Sequence, residues 1–163
     1  MSSVQDSISL ASVVTAFSST AFGLVLAELE GMAARLAARR IQPESVHAME
    51  IALTECEEQA VAADADGYYY ANARFHGVIY ESCGNEYLTR QSFDLKKVLQ
   101  PYRRLQLRVP DRMRRSLAEH RTIADAIVAG QQDTAENAAR EHVLVQVHEF
   151  SELVRTWRTI ASN

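Results

Sequence analysis

Apolar residues recur at spacings of three and four along almost the whole chain, and runs that alternate apolar with polar between turn residues are missing. That pattern predicts an all-α protein. A first helix is expected from about Ser9 to Arg39, with a break near Ser18 to Gly23 and its strongest part in LEGMAARLAARR from Leu29. Pro43 suits a first helical turn and opens a second helix to about Ala63. DADG at Asp64 to Gly67 reads as a turn, and the third helix carries YYYANARFHGVIYESC up to a stop at Gly84. A fourth begins at Asn85, is predicted to kink at Pro101, where a backbone donor is missing, and ends at Pro110 and Asp111. RMRRSLAEHRTIADAIVAG forms a fifth, closed by Gly130. Asp133 with Glu136 resembles a capping box for a sixth that reaches about Ile160. Six helices with short connections predict an antiparallel bundle, one domain over residues 1–163, with any site built from inward-facing side chains.

Five histidines test that expectation. On the third helix His76 shares a face with Asn72, Ile79 and Cys83. His120 sits in the stripe Met113, Leu117, Ala124, Ile127 of the fifth, and His142 in the stripe Ala135, Ala138, Ala139, Val145 of the sixth. A single histidine in an apolar stripe is ordinarily a core residue with a satisfied ring. Three of them on three facing helices would each require desolvation and a partner, which a shared site supplies. Neutral imidazole is a common metal ligand, and three leave coordination positions open for water or a small ligand. Asn72, one turn before His76, could add a carbonyl oxygen. His47 and His148 lack this context and are expected in solvent, His148 lying about 240° around its helix from His142. Glu119 precedes His120 but points to another face, which suits a surface or supporting role better than ligation.

Composition narrows the partners. Seventeen basic against twenty-one acidic residues give a formal charge of −4, which disfavours direct nucleic-acid binding. Cys56 and Cys83 have no CxxC spacing and read as small buried hydrophobes in a reducing, cytoplasmic setting. MSSVQDSISLASVV lacks the basic start of a signal peptide, and the apolar stretch from Ala21 to Ala27 is too short for a membrane span. The arginines of PYRRLQLRVPDRMRR read as a solvated turn paired with nearby carboxylates. Of the three tyrosines that open the third helix, Tyr69 could line a pocket around the histidines. Tyr80, one turn after His76, could as well, and Glu149, two turns beyond His142, could act as an acceptor. No G-x-S-x-G, P-loop or HExxH is present.

The ordered set N-x-x-x-H (Asn72 to His76), G-N-x-x-L (Gly84 to Leu88), Glu119-His120, A-I-x-x-G (Ala126 to Gly130) and D-x-x-x-A-x-x-x-x-x-H ending at His142 resembles the FCD domain. That is the C-terminal effector-binding domain of FadR-subfamily GntR transcription regulators. LEGMAARLAARR is similar to the family's first long helix, and the likeness spans roughly Leu29 to Leu144. It implies an antiparallel bundle around a divalent metal, commonly zinc or nickel, held by an aspartate and three histidines and often completed by a small carboxylate effector. His76, His120 and His142 match the histidines, and Asn72 falls where the aspartate is usual. A neutral Asn72 removes one compensating charge and predicts a weaker site or one that depends on an anionic ligand. The family's E-x-R before its L-E reads Leu24 and Leu26 here, which predicts a more apolar ligand. The likeness also implies a homodimer.

No winged helix-turn-helix is present in the sequence, so the chain is expected to be either an excised effector domain or a stand-alone version with another task. The first expectation is a ligand-sensing domain that binds a small-molecule effector at the metal. The alternative is a metal-dependent enzyme of lyase, isomerase or cyclase type acting on a substrate in the same pocket. A third is a dimerisation module with relic histidines.

Overall fold

The computed structural model describes residues 10–161, with side chains described for residues 20–152 and for Arg155. Among the described residues seven helices follow one another: α1 (Leu10–Arg40), α2 (Pro43–Val61), α3 (Ala65–Ser82), α4 (Glu86–Val98), α5 (Gln100–Gln106), α6 (Arg112–Val128) and α7 (Gln132–Ala161). The all-α expectation holds, and no described helix is long and apolar enough to cross a membrane.

Two corrections concern helix boundaries. The first helix runs without a break through Ser18 to Gly23, and the expected start at Ser9 lies outside the described residues. The predicted fourth helix is two, divided at a single residue: Leu99, still right-handed helical, caps α4, and Pro101 sits in the first turn of α5, where its missing N–H costs nothing. A third concerns Asp133 and Glu136, which both pair with Arg35 of α1, at 2.5 and 2.7 Å, from the first turns of α7. These carboxylates tie two helices together.

The turns follow their chemistry. The Asp64 carboxylate accepts the backbone N–H groups of Asp66 and Gly67, and the Asn85 amide oxygen accepts that of Leu88. Gly84 and Gly130 take the left-handed conformation, at φ 64° and 68°, that ends α3 and α6.

The longest helices, α1 and α7, run antiparallel along each other: Gly23 faces Val147, Gly31 faces Glu136 and Arg35 meets Asp133. Small side chains allow this approach, since Ala33, Ala34 and Ala37 of α1 and Ala135 and Ala139 of α7 are all buried. A Cβ on Gly31 would stand 3.1 Å from the Glu136 carbonyl oxygen, which belongs to backbone and cannot swing away. Gly31→Leu is therefore expected to destabilise by about 1–3 kcal/mol, read from a urea unfolding curve.

Against this pair pack α3, α4 and α6, while α2 covers α3 and α6. The main core combines the alanine face of α1 with Phe75, Ile79 and Tyr80 of α3 and Ile123 and Ile127 of α6. A smaller cluster of Leu26, Ala27, Leu99 and Val143 closes the end where α5 meets α1 and α7. Between them lies the polar centre of the bundle.

Candidate metal centre

His76 on α3, His120 on α6 and His142 on α7 are all buried and converge. Their ring centroids lie 5.1 Å (His76 to His120), 5.2 Å (His76 to His142) and 4.7 Å (His120 to His142) apart. One nitrogen from each ring falls within 4.8 Å of the other two. Each stripe delivers its histidine to the same point because α3, α6 and α7 present those faces to one core. His47 and His148, by contrast, are exposed.

Carboxylates hold two of the rings from behind. His142 Nδ1 lies 2.5 Å from Glu119 Oε2, and Glu119 is gripped by both arms of the buried Arg112, at 2.8 and 2.9 Å. Arg112 reaches on to Glu149 at 3.5 Å, and Glu149 pairs with Arg115 at the surface at 2.7 Å. The chain of charges therefore runs from solvent to His142. Behind His76 stands Glu30 of α1, 2% exposed, with Oε2 at 2.8 Å from Nδ1, a close contact out of line with a hydrogen bond. Tyr80 donates to Glu30 Oε1 at 2.5 Å, and the Lys96 ammonium lies 3.7 Å from the same oxygen.

Burial sets the protonation states. It pushes His76 and His120 well below the ordinary imidazole value and lowers His142 as well, outweighing the opposite pull of Glu30 on His76 and of Glu119 on His142. All three are neutral near pH 7, the form that binds metal. For Glu119 burial acts upward, but the bonds from His142 and Arg112 reverse it and hold the carboxyl at about 2. Both supporting carboxylates are ionised, since His76, Lys96 and Arg103 likewise overcome burial at Glu30.

Beside the trio is a polar void of about 10 Å³, room for roughly one water, lined by Asn72, Ser116 and Gln146 together with Arg103, Gln106, Leu107 and Arg112. Asn72, Ser116 and Gln146 each stand one helical turn from a histidine, which puts the void at one end of the cluster. Tyr80 packs beside His76 with ring centroids 6.2 Å apart. Tyr69 is placed elsewhere: it lies under the Arg104 guanidinium and beside Tyr70, and Tyr68 is the member of the tyrosine run whose ring stacks on His120.

A domain-family comparison bears on this geometry: the FCD domain model matches residues 24–144, well over half of the chain. The chain belongs to the FCD domain family. No curated protein matches it.

The residues of this FCD domain fit a divalent metal. His76 Nε2 and His120 Nδ1 are buried ring nitrogens without a hydrogen-bond partner, and such orphans call for one. On His142, Nδ1 is taken by Glu119, so Nε2 carries the lone pair, which the Gln146 amide engages at 2.8 Å. Carboxylates behind His76 and His142 are the outer partners that orient metal-binding imidazoles.

Four charged residues of this centre were not singled out from the sequence. Glu30 left a signal, as the one carboxylate in the buried stripe Leu26, Ala27, Ala33, Ala34, Ala37. It brings an anion from α1 to within 2.8 Å of His76. Lys96 is buried beside it. Arg103 and Arg112, read as part of a solvated turn, are 7% and 2% exposed; only their neighbours Arg108, Arg114 and Arg115 behave as that reading expects. Of the two leucines at the E-x-R positions, Leu24 is 49% exposed, whereas Leu26 is fully buried.

Proposed function

We propose that this FCD domain is the effector-sensing, metal-binding part of a GntR/FadR-type transcription regulator. His76, His120 and His142 hold one divalent ion, zinc or nickel, with the Asn72 amide oxygen as a further donor. The observation that carries this reading is the convergence of three buried, neutral imidazoles, two of them with unpartnered nitrogens. When bound, the ion supplies a Lewis-acidic position for an anionic effector. Around it the chain's own residues do the rest: Glu30 and Glu119 orient His76 and His142, and the void beside Asn72 leaves space where a ligand or water meets the centre. An effector that prefers one packing of α5 and α7 shifts the population towards it, and a neighbouring DNA-binding domain reads the difference.

An apolar stripe on α1 supports a homodimer: Phe22, Val25 and Met32 are 42%, 53% and 49% exposed and share a face with the half-buried Leu29 and Leu36.

Zinc affinity, measured by competition with a chromophoric chelator, tests the centre. His120→Ala is expected to lower it by more than about a hundredfold, and Glu119→Gln by roughly 10–100-fold, the range for losing a partner that orients a ligand. Unchanged affinity in His120→Ala would refute the shared site.

A further inference from the structure

The buried face of α7 runs through Ala135, Ala139, His142, Val143, Gln146 and Phe150, so after His142 one more polar side chain is buried there, the Gln146 carboxamide, 8% exposed and one turn further on. A buried carboxamide needs a partner as much as an imidazole does. Gln146 finds it inside the centre, where its Nε2 lies 2.8 Å from His142 Nε2. The other side of the ring fixes the roles in this contact. Glu119 is ionised and can only accept, so His142 Nδ1 carries the proton, Nε2 is the acceptor and the Gln146 amide N–H is the donor. The amide therefore sits on the lone pair that a metal would take. From the facing helix, Asn72 lines the same water-sized void as Gln146, and each stands one turn from its own histidine.

An ion at His142 Nε2 removes the acceptor of this bond and puts a positive charge in front of the N–H dipole. Gln146 has to answer in place, because its backbone carbonyl is held by the Gln106 amide of α5. Withdrawal into the neighbouring cleft, about 30 Å³ and walled mainly by Leu26, Leu99, Val143, Val147 and Phe150, would leave the amide without partners among apolar side chains. A half-turn about its last side-chain bond exchanges nitrogen for oxygen without moving the chain, and an opposed dipole becomes a donor. We propose that Gln146 is a further ligand of the metal centre, its carboxamide oxygen joining His76, His120, His142 and the Asn72 oxygen when the ion binds, an inference that rests on reading the histidine trio as a metal centre. The donor set is then three imidazole nitrogens and two neutral amide oxygens, with the void of about 10 Å³ as a sixth, water-sized position. Such a set exceeds the four ligands of a tetrahedral ion and suits a divalent ion that takes five or six.

Cobalt(II) loading of the full chain tests the proposal, followed by visible absorption and by competition with a chromophoric chelator, in the unaltered protein and in Gln146→Leu and Gln146→Glu. The unaltered chain is expected to show the weak absorption of a five- or six-coordinate ion. Gln146→Leu should lower cobalt affinity by at least about tenfold, the least that losing even an outer partner of a ligand costs, and should strengthen the absorption as a donor is lost. Gln146→Glu, which keeps an oxygen in the same place and adds charge, should bind at least about tenfold more tightly than Gln146→Leu. A residue that only covers the lone pair of the metal-free ring predicts the opposite sign, since leucine would then free His142 Nε2 and tighten binding. Unchanged or tighter binding in Gln146→Leu overturns the proposal, as does a Gln146→Glu variant that binds no better than Gln146→Leu. So does the intense absorption of a tetrahedral ion in the unaltered chain, a result that needs no variant to fold. In each of these cases cobalt is still bound and the histidine reading stands. Absence of cobalt uptake by the unaltered chain would refute both readings.

Discussion

Replacing Glu30 with alanine is expected to lower the unfolding free energy by about 3–5 kcal/mol, the range for breaking a buried ionic group by removing one partner. Glu30 accepts the Tyr80 hydroxyl and lies 3.7 Å from Lys96 Nζ and 2.8 Å from His76 Nδ1, and it is 2% exposed. Alanine leaves all three groups buried without it, and water cannot reach them cheaply. Glu30→Gln keeps an oxygen for Tyr80 and should cost less. In the double variant Glu30→Ala/Lys96→Met part of the loss should return, because the stranded ammonium is gone. Urea unfolding of the four proteins measures this. A loss below about 1 kcal/mol in Glu30→Ala would mean that Lys96 and Tyr80 find other partners and that Glu30 is not the organiser of this end of the centre.

The second large effect is acid lability of the metal-free chain. Burial lowers the pKa values of His76, His120 and His142 in the folded state, while in the unfolded chain they titrate near the ordinary imidazole value of 6.5. Between the folded values and 6.5 the unfolded state binds more protons, so stability rises with pH through that window and falls on acidification. Stability is fully present above about pH 6.5. Below it, three groups at about 1.4 kcal/mol per pH unit each give a slope approaching about 4 kcal/mol per unit, enough to unfold an ordinary domain within a few units. Denaturant midpoints of chelator-treated protein from pH 8 to pH 5 measure it. A flat profile across that span would contradict the neutral, buried state of the trio, and His120→Ala should visibly reduce the slope.

Helical periodicity was readable in this chain because α3, α6 and α7 are amphipathic, so each histidine's place in a buried stripe could be counted directly. What periodicity could not show is which stripes meet. Glu119 lies off the stripe of His120 on its own helix, and its partner is His142 on α7, a contact created by packing alone. The same applies to Arg112, whose neighbours in sequence are exposed arginines. Its burial depends on Glu119, two turns further along α6, and on Glu149 arriving from α7. Pro101 announced a disturbance, but whether a proline bends a helix or begins a new one depends on the cap before it, here Leu99. Glu30 could have been found by the test applied to the histidines, since a carboxylate amid alanines on a core face needs a partner as much as an imidazole does.

Metal content of the chain purified without added metal, compared with the His76→Ala/His120→Ala/His142→Ala variant, tests the central claim most directly. About one divalent ion per chain is expected in the unaltered protein and none in the variant. Absence of bound metal in both, even after loading with zinc or nickel, would contradict it.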